Sequence, residues 1–491
     1  MLNSVQSGKE SVKLATTFFY VTDTTQHVNR LFYYRKRTWQ WLHVKALTDL
    51  KKRNIIKLIT EKIHPHIVGA AKFGQDEVYR TWKSFAVKQR HPLYFVKTDI
   101  SSCYDEILQQ KLFCIVKNIF NNPEIVEDDF IIRRYVKIVN EGGVIKRKFN
   151  EEDNSHNIVF VDQVVTQQET REWLLKQLHC HIFHNIIKIG KTYYKQTKGI
   201  SQGSVISTLL CNMYYGEMER QFPICEGEVM MRIVDDALFV TPSKERAFNY
   251  YHKMINGIPD FNFSINKSKV QTNFNVSEFT EGITILENTE WLSWCGILLN
   301  MRTLETSLNL SFYFSSFLVD SMTFDTSYKA GVTMKRKLFR SIRLKCHPLY
   351  IDSQLNSLNI VIVNIYKILL LSAFKFTQYT KHLAKKENHY FLEGVITELG
   401  HYFYSVYNSA VKHKIHGKNG VILSPGHIQW LCIHAYIVKL NQHRSLYKPV
   451  VSCLQKCKVQ LNKQMKENFL SPEHLKDICG CELPKEFLRI R

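Results

Sequence analysis

The sequence predicts an α+β chain, mixed in its middle and all-helical at its end, on three observations. Apolar runs in the first 300 residues are short and end in carboxylates or glycines. Beyond Asn300 the apolar spacing becomes that of long amphipathic helices. A hydrophobic share of 45% beside 22% charged residues supports packed cores, and 491 residues at ~150 per domain suggest about three domains. Eleven prolines and 20 glycines exclude a collagen-like or low-complexity chain, and no repeat with a period of roughly 20 to 50 residues is visible, which argues against a solenoid.

Taken in order, the chain opens with β-prone aromatic runs, Thr16 to Val21 and Leu31 to Tyr34, followed by the basic stretch Arg35-Lys36-Arg37-Thr38-Trp39-Gln40-Trp41. Arginines beside indoles suit RNA, since both stack on bases; a snorkelling helix face fits the same residues. Leu47 to Ile67 has basic helical spacing. Tyr94 to Val96 reads as a short strand ending at Asp99, with a helix over Asp105 to Ile115. Glu141 to Asn157 is a hairpin or exposed loop, Glu169 to Ile189 is helical, and Met230 to Thr241 reads strand, Asp-Asp, strand. The helical end includes Leu355 to Phe376, Phe391 to Val411 and His427 to Leu440.

Lys+Arg 66 minus Asp+Glu 44 leaves +22, so a polyanion is the expected partner, although charge alone does not separate nucleic acid from an anionic membrane. The apolar run Asn359 to Phe376 carries Asn364 and Lys367, so it reads as a buried helix and no membrane span is expected. Twelve cysteines without framework spacing, behind a polar Met1 to Leu14, indicate reduced thiols in the cytosol or nucleus.

The sharpest chemical feature is Met231-Arg232-Ile233-Val234-Asp235-Asp236-Ala237-Leu238-Phe239-Val240, where two acids interrupt an apolar hairpin. Adjacent acids beside buried strands repel each other, and a hard divalent cation such as Mg²⁺ relieves that repulsion; a solvated turn is the competing explanation. Phe95 to Asp99 again ends an apolar run in a carboxylate, and three acids on neighbouring strand ends can hold two metals for nucleotidyl transfer. Asp105 is expected to be a helix-start acid. Tyr104 could pack under an incoming sugar and reject a 2′-hydroxyl, or simply be core. Between them Lys198-Gly199-Ile200-Ser201-Gln202-Gly203-Ser204 opens the helical run Thr208 to Glu219, a weak motif alone but specific in the order acid, Gln-Gly loop, Asp-Asp. His179, His181 and His184 spread around a helix, so no zinc site is expected there, and Cys479-Gly480-Cys481 reads as a turn with free thiols. Arg336, Lys337, Arg340, Arg343 and Lys345 cluster at helical spacing as candidate phosphate contacts.

These motifs, in this order, resemble the telomerase reverse transcriptase family, of the vertebrate type. Phe18 to Asp23 through Phe32 to Lys36 and Trp39 resemble its T motif, which implies RNA contacts from Phe19, Tyr20, Tyr34, Arg35, Lys36 and Trp39. Asp99 matches motif A, Gln202-Gly203 motif B′ and Asp235-Asp236 motif C. The resemblance implies that Asp99, Asp235 and Asp236 ligate two Mg²⁺ ions, that Tyr104, Gln202 and Gly203 meet nucleotide and template, and that Lys269, on the motif D position, protonates leaving pyrophosphate. Trp294-Cys295-Gly296 resembles the primer grip of motif E. The implied architecture is a right-hand polymerase: a remnant RNA-binding segment over 1–45, a reverse transcriptase palm with reduced fingers over 46–300 with an insertion near 110–190, and a helical thumb over 301–491. Implied partners are telomerase RNA, the telomeric single-stranded DNA 3′ end, an RNA/DNA hybrid, dNTPs, telomerase accessory proteins and the full-length enzyme, in the nucleus at telomeres.

Two departures stand out. Most of the family's RNA-binding region and its amino-terminal domain have no counterpart, and neither do fingers motifs 1 and 2. No Arg-Pro pair occurs anywhere, and no arginine lies between Arg53 and Arg80. Losing a triphosphate clamp should raise KM and lower kcat, so a non-catalytic, nucleic-acid-binding form competes with the polymerase reading. A spliced product or incomplete gene assembly would explain both departures; exon boundaries remote from residue 48 would count against it.

Overall fold

The computed structural model describes residues 18–22, 31–35, 69–88, 92–122, 129–132, 136–141, 144–148, 158–161, 167–190, 192–204, 206–276, 283–286, 291–314, 317–324, 330–381, 383, 388–414, 423–465 and 470–490. In chain order these form β1 (Phe18–Thr22), β2 (Leu31–Arg35), α1 (Gln75–Ala86), β3 (Tyr94–Asp99), α2 (Gln109–Asn121), β4 (Asp129–Ile132), β5 (Val136–Glu141), β6 (Val144–Lys148), β7 (Ile158–Val161) and β8 (Gln167–Thr170). There follow α3 (Arg171–Phe183), β9 (Ile186–Ile189), β10 (Thr192–Lys195), α4 (Ser207–Glu219), β11 (Val229–Ile233), β12 (Asp236–Thr241), α5 (Lys244–Asn256), β13 (Gln271–Thr272) and β14 (Thr284–Ile285). The last are β15 (Trp291–Trp294), β16 (Ile297–Asn300), β17 (Thr306–Leu308), α6 (Ala330–Lys345), α7 (Pro348–Ile351), α8 (Leu358–Lys381), α9 (His389–Lys414), α10 (Pro425–Leu440), α11 (Arg444–Gln464) and α12 (Pro472–Cys479). They divide into two compact units, 1–71 with 100–223 and 257–264, and 72–99 with 224–256 and 265–491.

The first unit is built on α2, which packs on α3 and α4. Its buried Leu112, Ile115, Val116, Ile119 and Phe120 fall at helical spacing on one face. In α4 the apolar residues run all round, and the helix is buried almost along its whole length. Strands β5 and β6 form the expected hairpin, with β7 added on the other side of β5. Two expectations fail here. Helix α2 starts at Gln109 rather than Asp105, because Ser102 takes a left-handed φ of 45° and its carbonyl accepts from the Asp105 and Glu106 amides, closing a turn instead. The helix over Glu169 to Ile189 stops at Phe183, and the β-branched run Ile186–Ile189 turns at Gly190 to pair with β10.

The second unit carries a five-stranded sheet ordered β11-β12-β3-β13-β14, antiparallel except for β13 with β14. Helix α5 lies on β3 and β12, and α1 on β11. A separate meander, β15-β16-β17, leads into the helices. Thr306–Leu308 is thus a strand inside the region expected to be wholly helical, held by Asn364 of α8. That buried amide accepts from Ser307 Oγ (2.8 Å) and the Leu308 amide (3.1 Å) and donates to the Thr306 (2.9 Å) and Tyr350 (3.0 Å) carbonyls, so all its capacity is used. Helix α10 is buried from His427 to Leu440 among α8, α9 and α11. It starts at a capping box of Ser424 with His427, with Pro425 in the first turn. Helix α8 is the one described helix long and apolar enough to cross a membrane, and most of that apolar stretch is buried in the protein.

Candidate active site

The geometry of the paired acids begins with the register of β11 on β12. Ile233 pairs with Asp236, leaving Val234 and Asp235 as a two-residue turn. The expected Asp-Asp turn is therefore displaced by one residue, and Asp236 is the first residue of β12. Val234 adopts φ 58°, a costly conformation for a β-branched residue that persists where surrounding structure imposes it. The displacement places Asp236 directly opposite Asp99, the last residue of β3.

Asp99 is 7% exposed, while Asp235 and Asp236 are half-buried. Burial pushes the Asp235 carboxyl above its ordinary range, its own backbone hydrogen bond opposes this, and the charges of Asp236 and Asp99 push it further up. Burial also raises Asp236, opposed by Lys97 and aided by Asp99. Three oxygen-donor groups crowded at one sheet end, two of them resisting ionisation, fit a hard divalent cation, which removes both the repulsion and the desolvation cost.

Lys269 ends a 3₁₀ turn, Lys267–Lys269, whose cap is the Asn266 side chain accepting from the Ser268 amide. Its Nζ donates to Asp99 Oδ1 at 3.1 Å. Trp294, Cys295 and Gly296 lie at the β15/β16 hairpin. Trp294 pairs with Ile297, so Cys295 and Gly296 form the turn, with φ values of 45° and 77°. Trp294 is fully buried, and the Cys295 thiol donates to Asp236 Oδ2 at 3.6 Å. That contact and Lys97 beside Asp236 escaped the sequence reading; Lys97 was visible only as the residue two before Asp99 on the same strand.

Tyr104, Gln202 and Gly203 belong to the other unit, where the Gly199 end of the loop, rather than Gln202 or Gly203, is the part that hydrogen bonds to Tyr104. Gly199 has φ 69°, and a Cβ there would lie 2.6 Å from Asp105 Cα and the Tyr104 carbonyl oxygen. This close approach lets the Ile200 amide donate to the Tyr104 carbonyl (2.9 Å) and the Gly199 amide to that of Ile107 (3.0 Å). The Tyr104 hydroxyl meets Thr208 Oγ1 at 3.2 Å, near the start of α4. Gln202 and Gly203 are exposed, and Gly203 has φ 83° with open space around it.

Among the expected RNA contacts, β1 and β2 pair with Phe19 opposite Tyr34, Tyr20 opposite Tyr33 and Phe18 opposite Arg35. Lys36 and Trp39 lie outside the described residues, as does the stretch Leu47 to Ile67. On α6, Arg336, Arg340 and Arg343 form an exposed stripe opposite the buried Met334, Leu338 and Ile342. Lys337 donates to the Thr323 carbonyl at 2.6 Å, and Lys345 is half-buried 5.9 Å from the Tyr313 ring centre, where burial lowers its pKa. The ligand atoms of His179, Cys180 and His184 do approach within 4.8 Å of one another, with His184 at the helix C-cap; His181 instead meets Ser204 Oγ at 3.2 Å.

The chain belongs to the reverse transcriptase (RNA-dependent DNA polymerase) family, whose model matches residues 35–292. A telomerase ribonucleoprotein complex RNA-binding domain matches 11–50 and a telomerase reverse transcriptase C-terminal extension matches 332–455, so within that family it stands among the telomerase reverse transcriptases. Relatives of that name include those of Rattus norvegicus and Canis lupus familiaris, each 29% identical, over 93% and 94% of this chain and 50% of each relative. The Arabidopsis thaliana protein is 24% identical over 94% of this chain and 49% of its own length. The chain thus spans about half the length of these curated relatives. A telomerase from Candida albicans, solved with a fragment of telomeric RNA, shares the fold at TM-score 0.58 and 17% identity, over 89% of this chain and 66% of that one.

Proposed function

We propose that the chain is the catalytic core of a telomerase-type RNA-directed DNA polymerase that adds telomeric repeats to chromosome 3′ ends. The observation that carries this reading is Asp99 paired directly with Asp236, with Asp235 in the adjoining turn, in a chain of the reverse transcriptase family. Asp99, Asp235 and Asp236 would hold two Mg²⁺ ions, which when bound supply activation of the primer hydroxyl and stabilisation of leaving pyrophosphate. Lys269, already donating to Asp99, would give a proton to that leaving group. The Cys295 thiol orients Asp236 from the hairpin with Trp294 and Gly296, the proposed primer grip. Tyr104, held by Thr208, selects against a ribose 2′-hydroxyl, and the exposed Gln202-Gly203 turn meets template and nucleotide.

The divisions 1–45, 46–300 and 301–491 remain our functional reading of the chain, as RNA-binding segment, palm with reduced fingers and thumb. Telomerase RNA, the telomeric 3′ end, their hybrid and dNTPs are the corresponding partners, and the nucleus and telomere the location. Mammalian relatives at 29% against 24% for the plant protein support a vertebrate-type member. One observation favours a second reading: without an Arg-Pro pair or any arginine from 54 to 79, the triphosphate clamp has no counterpart, as in a binding-competent but impaired form that competes with or scaffolds the full-length enzyme. Incorporation of one dNTP into a preformed RNA/DNA hybrid with Mg²⁺, lost in Asp99→Asn, supports the polymerase; hybrid binding without incorporation supports the second reading.

A further inference from the structure

Helices α9 and α11 pack against each other. On α9 Glu393, and on α11 Cys453 and Cys457, bring one carboxylate oxygen and two sulfurs within 4.8 Å of one another, all three residues half-buried. The cysteines are four apart, which sets them one above the other on a single helix face. The Glu393 carboxylate accepts from the Cys453 thiol, and this bond, with burial and Cys457 beside it, pushes that thiol up to about 11. Ligand atoms around tetrahedral zinc, at Zn–S of about 2.3 Å and Zn–O of about 2.0 Å, lie about 3.5 to 3.8 Å apart. Closing from the present spacing therefore takes shifts of about 1 Å, within reach of side-chain rotation.

We propose that Glu393, Cys453 and Cys457 form a binding site for a soft divalent cation, zinc foremost, that staples α9 to α11. Binding forms two Zn–S bonds and one Zn–O bond, breaks two S–H bonds whose protons pass to solvent, and moves no electrons; water completes the tetrahedron. Thiolate donors separate this site from the carboxylate triad, because Mg²⁺ takes oxygen ligands. The His179, Cys180 and His184 group differs in two ways: all three come from one short segment, and Cys180 and His184 are exposed. The Glu393 site instead joins two helices and is partly shielded from water.

The test is titration of the metal-free full-length chain with Co²⁺, followed by Zn²⁺. The expected result is one thiolate-to-cobalt absorption band per chain, displaced by one equivalent of Zn²⁺. Cys453→Ser and Cys457→Ser should abolish it, Cys180→Ser should leave it unchanged, and Glu393→Gln, which keeps the side chain's shape, should weaken binding by about tenfold or more. One equivalent of Zn²⁺ should also raise the melting temperature of the wild type and leave that of Cys457→Ser unmoved. Absence of the band, its survival in both serine variants, or an unchanged wild-type melt would overturn the site.

Discussion

Asp236 and Asp99 are direct cross-strand partners at the edge where β12 and β3 meet, and Asp235 adds a third carboxyl from the turn before β12. Like charges placed opposite one another in a sheet are destabilising, so this arrangement costs the metal-free protein stability. Asp235→Asn should therefore stabilise the metal-free chain, by roughly 1.4 kcal/mol for each pKa unit of upward shift that it relieves. Thermal melts with and without Mg²⁺ check this: the ion should raise the wild-type midpoint and do little for the variant. A lower midpoint for Asp235→Asn without metal would contradict the argument.

The Cys295 thiol gives Asp236 one of its hydrogen bonds from a left-handed turn position. Cys295→Ala removes that donor, and a weak bond worth about 0.5 to 1 kcal/mol translates into a two- to fivefold rise in the Mg²⁺ concentration for half-maximal nucleotide incorporation. Cys295→Ser, which keeps a donor, should recover part of it. An alanine variant with an unchanged Mg²⁺ profile would remove Cys295 from the site.

Gly199 and Gly203 both take positive φ but differ in surroundings. Gly203→Ala meets open space, so it should cost only the conformational penalty of about 1 to 2 kcal/mol. At Gly199 an added methyl also collides with the backbone of Tyr104 and Asp105, so Gly199→Ala should destabilise more in urea unfolding and disturb Tyr104. Equal effects would show that the approach of the loop to Tyr104 is not tight.

His434 is 4% exposed, donates from Nε2 to the Gly480 carbonyl (2.7 Å) and accepts at Nδ1 from Lys458 Nζ (2.9 Å). Burial, with Lys458 beside it, lowers its pKa to about 4 from 6.5. The folded value lies below the unfolded one, so the stability it contributes is complete above pH 6.5 and is lost as pH falls toward 4, by at most about 3 kcal/mol. Denaturation between pH 7.5 and about 4 should show the decline, and His434→Gln should flatten it.

Local pattern made much of the fold legible. Strand, acids and strand at 229–241, the helix after the Gln202-Gly203 loop, and the core helices α8 to α10 all follow from apolar spacing that packing then reinforces. What escaped depends on tertiary register. Nothing local places β-branched Val234 in a left-handed turn, and only the pairing of Ile233 with Asp236 does so. Ser102 likewise delays α2 by closing a turn through its carbonyl. The contact of Cys295 with Asp236 joins residues 59 apart in sequence, which no periodicity encodes.

Under the proposed function, Asp99, Asp235 and Asp236 would make this chain a working polymerase. Primer extension on a preformed RNA/DNA hybrid with Mg²⁺ and dNTPs, run for the wild type and Asp235→Ala beside a binding titration of both, tests it most directly. Extension by the wild type, loss by at least about a thousandfold in the variant, and similar hybrid affinity for the two are the expected results. Tight hybrid binding without wild-type extension, or extension that survives Asp235→Ala, would contradict it.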